Sequence, residues 1–505
     1  MQKYGLDNIH NTVLLSHSGA GKTSLAEAML FTAGAISRLG KVDDGSSTSD
    51  YDPDEIKRKI SINLSLLPYP WRDMKINLID APGYADFIGE VKAGMRVSEG
   101  AVIVICVTSG VEVGTEQVWG YCEEAKLPRL IFINKMDREN ADFFKTVDEI
   151  RAKLGSKCLP LQLAVGAHAN FEGVVDLLTM KAYTGSAAKE TDIPSALQAQ
   201  VDSYREKLVE AIAEVDDALI EKYLGGEEIS LEELTTALHQ AVARGSVIPI
   251  LTGSALQNIG VSRLMDAICD YLPLPKEQKV AIEGGSIEPS EEAPLAALVF
   301  KTSADPYVGK LTYFRVYNGA IDSNSQIWND NQKASERVGQ LFTLRGKTQE
   351  PVPQIRAGDI GGVAKLNVTG TGDTLCTQDK PVKITPITFP EPTFSEAIYP
   401  KTKTDVDRMG TALSRLTEED PTLKVHRELG TNETILSGMG DTHLDVAAEK
   451  MQRKFGVNVE MGVPKVPYRE TITVPSKAEY KHKKQSGGHG PADDSVTELI
   501  VTVAR

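Results

Sequence analysis

The chain of 505 residues has no apolar run near the roughly 18 residues that a membrane-crossing helix requires. Its longest, Ala101 to Val107, is short and rich in Val and Ile, the composition of a buried strand. Cysteine is scarce: there are five, at 106, 122, 158, 269 and 376, in no metal-binding or disulfide spacing. That excludes a disulfide scaffold and fits the reduced thiols of the cytoplasm. No excess of basic charge exists either, since 55 Lys and Arg face 70 Asp and Glu for a net charge of −15. Such a balance excludes a protein that coats nucleic acid by electrostatics alone, while leaving open a local basic face. Met1 to Asn11 is polar and lacks a signal-peptide layout. There is no internal repeat of solenoid type. What is present, 41% hydrophobic and 25% charged residues, is the make-up of a soluble globular protein. The length predicts about three or four domains.

Up to about residue 273 strand and helix signals alternate. Asn11 to Leu15 is a short apolar run, and a Gly-rich turn leads from it into a helix over Thr23 to Ala33. Ile60, Ile62, Leu64 and Leu66 alternate as in a half-buried strand; Pro68-Tyr-Pro70 is read as a turn, and Lys75 to Asp80 as the returning partner. Ala101 to Val107, Arg129 to Ile133 and Val247 to Leu251 are further buried strands. The pattern predicts an open, largely parallel α/β sheet, interrupted from about 155 to 245 by a helix-rich insertion. A Pro-bounded acidic stretch, 276–293, reads as a linker. From 294 to 384 short strands separated by turn pairs such as Asn318-Gly319 and Ala357-Gly358 predict a small β-barrel, with a hairpin at Lys310–Asn318. From 388 to 464 the order strand, helix, strand, strand, helix, strand predicts a ferredoxin-like unit. Its helix faces are Met409, Leu413 and Leu416, and Leu444, Ala448, Met451 and Phe455.

Four short elements carry chemistry, each after a strand end. Ser16-His17-Ser18-Gly19-Ala20-Gly21-Lys22-Thr23-Ser24 is a strand-to-helix phosphate loop, although Ser16 stands where the usual opening Gly would be. Its backbone N–H groups would cradle phosphates, Lys22 would neutralise the β/γ oxygens, and the Thr23 hydroxyl would hold Mg²⁺. Asp80-Ala81-Pro82-Gly83 places a carboxylate within reach of that Mg²⁺ through a water and the Gly83 N–H toward a γ-phosphate; alone it also reads as a common turn. In Asn134-Lys135-Met136-Asp137 the carboxylate would accept from guanine N1–H and the 2-amino group, a donor pair adenine lacks; alone it also reads as a surface loop. Gly253-Ser254-Ala255 would offer backbone N–H groups to guanine O6. Together, in this order on one sheet, the four predict a guanine-nucleotide site.

With these elements in place the chain resembles the elongation factor G family of translational GTPases over nearly its whole length, to about Gly490. More narrowly it is similar to the elongation factor G-like branch whose loop reads His-Ser-Gly-x-Gly-Lys-Thr. Supporting stretches are Tyr51-Asp-Pro-Asp-Glu-Ile-Lys-Arg-Lys-Ile-Ser-Ile62, Ile133-Asn-Lys-Met-Asp-Arg138, Asp305-Pro-Tyr-Val-Gly-Lys310, Ala357-Gly-Asp-Ile-Gly361 and Ser437-Gly-Met-Gly-Asp-Thr-His-Leu444. His443 within the last reads as structural. The resemblance implies a GTP-binding domain over 1–275 with the inserted subdomain, a β-barrel domain over 294–384, and a ferredoxin-like domain over 388–464 that docks on the ribosome. Residues 465–490 would begin a fourth domain, and 491–505 match nothing in the family. It implies GTP/GDP and Mg²⁺ as ligands, with Ser61 matching the first-switch hydroxyl that completes the Mg²⁺ shell when GTP is bound. Residues 38–62 would be a mobile first switch and residues 83 to about 97 the second.

Two departures qualify the resemblance. Where other translational GTPases carry a histidine that orients the attacking water, this chain has Tyr84. A phenol, neutral at pH 7, can hydrogen-bond that water but is a poor proton acceptor. Loss of a positioned acid–base group costs about 10²–10⁴ in rate. Tyr84 either takes that place beside Gly83 and Lys22 or packs at the switch, and tyrosine is usual in the elongation factor G-like branch. The second departure is the end of the chain, where strands and a fifth domain would follow in the family. Residues from about 476 are expected to lack order, and efficient translocation is not expected. Lys481, Lys483 and Lys484 read as a solvated basic loop. The expectation is a monomeric, cytoplasmic, ribosome-associated GTPase with no membrane or DNA partner. A GTP/GDP-switched ribosome-binding module with little hydrolysis, a release- or recycling-type GTPase, and a defective product remain as alternatives.

Overall fold

The computed structural model describes residues 4–305 and 309–468. Ile9–Leu15 (β1) is buried along its whole length, as a central strand of an open sheet must be. It leads into helix α1, Lys22–Thr32, and then, after a long loop, into a short helix α2, Pro53–Arg58. Strands β2, Ser65–Trp71, and β3, Met74–Asp80, form a hairpin; α3, Ile88–Arg96, β4, Gly100–Cys106, α4, Val113–Ala125, β5, Arg129–Asn134, and α5, Phe143–Leu154, follow. The sheet is completed by β6, Cys158–Pro160, and β11, Ile248–Thr252, in the order β2-β3-β1-β4-β5-β11-β6. Every pairing is parallel except that of the edge strand β2 with β3.

The two prolines read as a turn lie inside β2, and the turn falls at Arg72-Asp73, with Arg72 in the left-handed region at φ 54°. An edge strand tolerates proline where the missing N–H faces away from its partner. The carbonyls of Leu66 and Pro68 indeed face outward, to Gly346 N and Arg345 Nε. Nor does β2 reach back to Ile60: Pro53–Arg58 is helical and residues 59–64 are irregular. The sequence Asp52-Pro-Asp-Glu55 is a capping box, with the Asp52 carboxylate accepting from Asp54 N and Glu55 reaching back to Asp52 N. The other Glu55 oxygen accepts from Ile62 N and Asn63 N, which takes those residues out of a strand despite their alternation.

Between β6 and β11 lies the insertion. It contains a four-stranded antiparallel sheet of β7, Gln162–Val165, β8, Gly173–Asp176, β9, Lys181–Thr184, and β10, Lys189–Thr191. Helices α6, Gln198–Ala213, α7, Asp217–Gly225, and α8, Leu231–Arg244, follow it. Helix α9, Val261–Tyr271, closes the first domain against α1. The stretch read as a linker contains a small hairpin, β12, Val280–Ile282, with β13, Gly285–Ile287.

The barrel comprises β14, Ala296–Asp305, β15, Gly309–Asn318, β16, Ala320–Asp322, β17, Gln326–Asn329, and β18, Ala334–Arg337. It continues through β19, Leu341–Arg345, β20, Thr348–Val352, β21, Gln354–Arg356, β22, Ile360–Ala364, and β23, Thr374–Cys376. Asn318-Gly319 does not close a hairpin: β15 pairs with β14 and β22, whereas β16 pairs with β21. The tight two-residue hairpin is instead β19–β20, where Arg345 pairs with Thr348 across Gly346 and Lys347.

The third domain runs β24, Phe394–Pro400, α10, Lys403–Glu419, β25, Lys424–Glu428, β26, Glu433–Gly438, α11, Asp441–Phe455, and β27, Val459–Gly462, with strand order β25-β26-β24-β27. This is the ferredoxin-like arrangement. Leu413 and Leu416 of α10 meet Leu444, Ala447 and Met451 of α11 in one core, with Ala447 rather than Ala448 buried. His443, read as structural, is buried at the start of α11. Its Nε2 lies 2.9 Å from Asp420, its Nδ1 accepts from Met439 N, and its ring meets Phe87 edge-on. The tail 469–505, including the expected loss of order beyond 476 and the lysines at 481, 483 and 484, lies outside the described residues.

The three domains are tied by polar contacts. At the joint between first domain and barrel, Arg315 pairs with Glu99, both almost fully buried, and donates to Val97 O at 2.8 Å. Asn11 donates to Glu99 and to Gly358 O, and Lys75 and Asn77 both hold Asp359. At the third domain, Arg453 of α11 binds Asp52 and Asp54 at 2.8 and 2.6 Å, and Glu449 meets Lys57 and Arg58. Among the described residues, no helix is long and apolar enough to cross a membrane.

Candidate nucleotide site

The carboxyl ends of β1, β3, β5 and β11 bring the four sequence elements to one side of the sheet, as open α/β sheets do. Gly19 and Gly21 have φ of 81° and 95°, conformations that exclude most side chains, so the chain after β1 curls into an open loop. Gly21 caps α1 with no side-chain hydrogen bond, leaving its first-turn N–H groups pointing from an uncapped helix N-terminus. A Cβ at Gly21 would lie 2.6 Å from Asn134 Nδ2, so the loop and the β5 end are in intimate contact. Ser18, Gly19 and Ser24 are exposed, whereas His17, Ala20, Lys22 and Thr23 are buried. The His17 ring bonds Thr115 Oγ1 at 2.8 Å and faces Glu112.

Lys22 turns back over the loop, donating to Ser16 O and His17 O at 3.4 and 3.2 Å. Burial lowers its pKa to about 8 against the opposing pull of Asp80 and Asp50. A Cβ on Gly83 would sit 2.5 Å from Lys22 Nζ and 2.9 Å from His17 O, which is why glycine follows Pro82. Thr23 Oγ1 donates to Asp80 Oδ2 at 2.8 Å and lies 3.2 Å from Ser61 Oγ. Ser49 Oγ donates to the same Asp80 oxygen at 2.7 Å.

The hydroxyls and carboxylates gathered here fit a small hard cation. The other Asp80 oxygen, Oδ1, is buried and has no hydrogen-bond partner, and neither has Oδ1 of Asp50, which is only 4% exposed. Burial, Asp80 and Glu55 raise the Asp50 pKa to about 8, and burial raises that of Asp80. Two orphaned carboxylate oxygens beside the Thr23 and Ser61 hydroxyls form an oxygen set of the kind Mg²⁺ takes. Asp50 and Ser49 were not singled out in the sequence. The signal available was a polar run, Ser46 to Asp50, without periodicity.

At the other end of the cleft Asn134 Nδ2 donates to Ala20 O at 3.1 Å, and Lys135, with φ 68°, reaches Gly19 O. Ser254 Oγ donates to Asp137 Oδ1 at 2.5 Å. The two backbone N–H groups expected to face guanine O6 are committed elsewhere. Ser254 N donates to Ile259 O at 2.9 Å and Ala255 N to Asn134 Oδ1 at 3.0 Å. Ser254 thus holds the Asp137 carboxylate and Ala255 the Asn134 amide. The reason is a local one: β11 ends in a tight turn in which Gly260, at φ 79°, brings Ile259 back onto Ser254. Tyr84 is 40% exposed and borders the same cleft of about 460 Å³, with Ser61 and Gly83.

Two buried glutamates brace the stretch between α1 and β2 that is read as a first switch. Glu27 of α1, 1% exposed, accepts from Gly40 N at 3.2 Å and from Thr48 N at 2.5 Å. The Glu55 carboxylate accepts from Ile62 N and Asn63 N, which fixes the turn that presents Ser61.

A phosphate loop, a cluster of carboxylates and hydroxyls and an Asn-Lys-x-Asp stretch at the strand ends of one largely parallel sheet define the class of P-loop GTPases that carry further domains. Residues 7–274 match the elongation factor Tu GTP-binding domain, 294–378 elongation factor G domain 2, and 389–463 elongation factor G domain III. The chain is 42% identical over 497 residues to elongation factor G of a Thermotoga species (strain RQ2), covering 96% of this chain and 72% of that protein. It is 41% identical to elongation factor G of Thermotoga petrophila over the same extent. A crystal structure of a Thermus thermophilus protein superimposes with a TM-score of 0.86 at 35% identity, covering 96% of this chain and 71% of that one. The chain belongs to the elongation factor G family of translational GTPases.

Proposed function

We propose that this protein binds GTP and GDP in the cleft at the carboxyl ends of β1, β3, β5 and β11, and hydrolyses GTP when engaged with the ribosome in the cytoplasm. The observation that carries the reading is the convergence of Lys22, Thr23, Ser61 and Asp137 on one cleft, with Asp80 bonded behind Thr23 and Ser254 behind Asp137. In this reading the N–H groups of His17 to Thr23 cradle the phosphates, and Lys22 swings from its two carbonyl partners to the β/γ oxygens. Asp137, held by Ser254, accepts from guanine N1–H and the 2-amino group; an adenine would leave that carboxylate unpaired. Thr23 and Ser61, with Asp80 and Asp50 behind them, hold Mg²⁺, which supplies charge neutralisation at the phosphate oxygens. Gly83 N–H faces the γ-phosphate, and the Tyr84 hydroxyl orients water from the open side of the cleft. Its 40% exposure leaves the ring free to turn inward.

GTP hydrolysis by the purified chain, with and without ribosomes, tests this reading. Ribosome-stimulated phosphate release that Tyr84→Phe lowers about 10²-fold or more is expected. A second reading is favoured by the same residue, because a phenol is a poor proton acceptor: a nucleotide-switched ribosome-binding module. Guanine-specific binding with no stimulated release, equal in parent and Tyr84→Phe, would establish it.

A further inference from the structure

The β19–β20 turn of the barrel reaches across to the first domain at one point. Gly346 N donates to Leu66 O at 2.9 Å, and Arg345 donates to Pro68 O and to Ala35 O at 3.1 and 3.2 Å. This fastens the turn to the β2 edge and to the end of α1. Gly346, at φ 51°, then lies against Thr48, so closely that a Cβ would fall 2.1 Å from Thr48 O and 3.1 Å from its Cγ2. Thr48 N is in turn held by Glu27, and the next residue, Ser49, donates to the Asp80 oxygen that Thr23 also binds. Ser49 O accepts from Ser65 Oγ at 2.7 Å. One backbone unit, Thr48-Ser49, thus lies between the barrel and the cation site.

We propose that the β19–β20 turn is a positioning element for the nucleotide site: Gly346 seats the Thr48 carbonyl and so holds Ser49 on Asp80, which makes the barrel a determinant of triphosphate over diphosphate preference. The inference rests on the GTP reading of the cleft. The turn is fixed by its ladder and by Leu66 O, so a bulkier residue at 346 displaces the Thr48 side. Residues His17 to Thr23 serve either nucleotide. Ser49 reaches the site through Asp80, whose other partner Thr23 lies beside Ser61 at the cleft wall, so displacing Ser49 weakens the cation-dependent triphosphate complex and spares GDP.

The test is Gly346→Asn, because asparagine tolerates the left-handed backbone and leaves the added side chain as the perturbation. Gly372→Asn is the control, a turn glycine of the same barrel at φ 93° with nothing within 4 Å of its Cβ position. Affinities for GDP and for a non-hydrolysable GTP analogue with Mg²⁺ are measured on the full chain, with hydrogen exchange of residues 40–50. Gly346→Asn is expected to weaken the analogue about tenfold, within the usual range of inter-site coupling. GDP affinity should stay within about twofold of the parent's, and exchange of residues 40–50 should rise. Equal loss of both nucleotides, or behaviour matching Gly372→Asn, would overturn the proposal. Should Gly346→Asn fail to fold, Arg345→Ala removes the two anchoring bonds and is held to the same asymmetry. A parent that binds neither nucleotide would sink the GTP reading, and the exchange comparison would still decide whether the turn holds Thr48.

Discussion

In the proposed nucleotide site, Ser254 and Asp137 show how little separates a loop from a recognition site. The Asp137 carboxylate is useful only if one orientation dominates, and the hydroxyl of Ser254 supplies that orientation. Removing it in Ser254→Ala costs a hydrogen bond to a charged group, about 1.5–3 kcal/mol. We expect GDP affinity to fall roughly tenfold or more and unfolding free energy to fall with it, since Ser254 Oγ also accepts from Gln257 N, as measured by nucleotide titration alongside thermal unfolding. At this scale the sequence showed most of the site. Lys22, Thr23, Asp80, Gly83, Asn134 and Asp137 stand beside glycines or at apolar strand ends, where backbone geometry constrains what can follow. Asp50 and Glu27 escaped notice for a physical reason. One lies in an aperiodic polar loop and the other mid-helix among apolar residues, and only the tertiary fold brings Asp50 beside Asp80 and the Thr48 backbone to Glu27.

Among the elements, the α10–β25 connection and the α11 helix start are joined through Asp420 and His443. Burial opposes the Asp420 charge, but hydrogen bonds from His443 and Thr422 outweigh it and hold the carboxyl down to about 2. A carboxyl whose folded pKa is depressed stabilises the fold above its unfolded value, near 3.9, and loses that contribution as pH falls toward the folded value. The stability difference between the parent and Asp420→Asn should therefore be full at pH 5 and shrink between about pH 4 and pH 2, read from urea midpoints. A difference constant over that window would rule out the ion pair as its source. The elements themselves were legible where an apolar run went unbroken, as in β1, β4 and β5, or where one helical period did, as in the two helices of the third domain. They were misread where local pairing competed with period: Glu55 takes up Ile62 N and Asn63 N and leaves 59–64 irregular, and β16 chose β21 over β15 despite Asn318-Gly319.

For the whole molecule, the joint between first domain and barrel is a buried ion pair embedded in amide hydrogen bonds. Glu99→Gln leaves the Arg315 guanidinium, 2% exposed, without its counter-charge. Breaking one partner of a buried pair costs about 3–5 kcal/mol. We expect a loss of that order in unfolding free energy. The two domains should also gain relative freedom, seen as faster hydrogen exchange at Gly358 and Asp359. The same variant should weaken the grip of Gly346 on Thr48, since both contacts hold one barrel against one sheet.

The prolines of β2 have a consequence during synthesis. The first domain emerges from the ribosome before the barrel that later covers the outer edge of β2, and for that interval the edge is open to any passing strand. Pro68 and Pro70 sit two residues apart, so both missing N–H groups fall on that side. A nascent chain is thereby denied two of the donors by which a neighbour could extend its sheet. Replacing both with threonine should leave the finished protein close to its parent in stability yet lower its refolding yield at micromolar concentration, with the lost fraction recovered as aggregate.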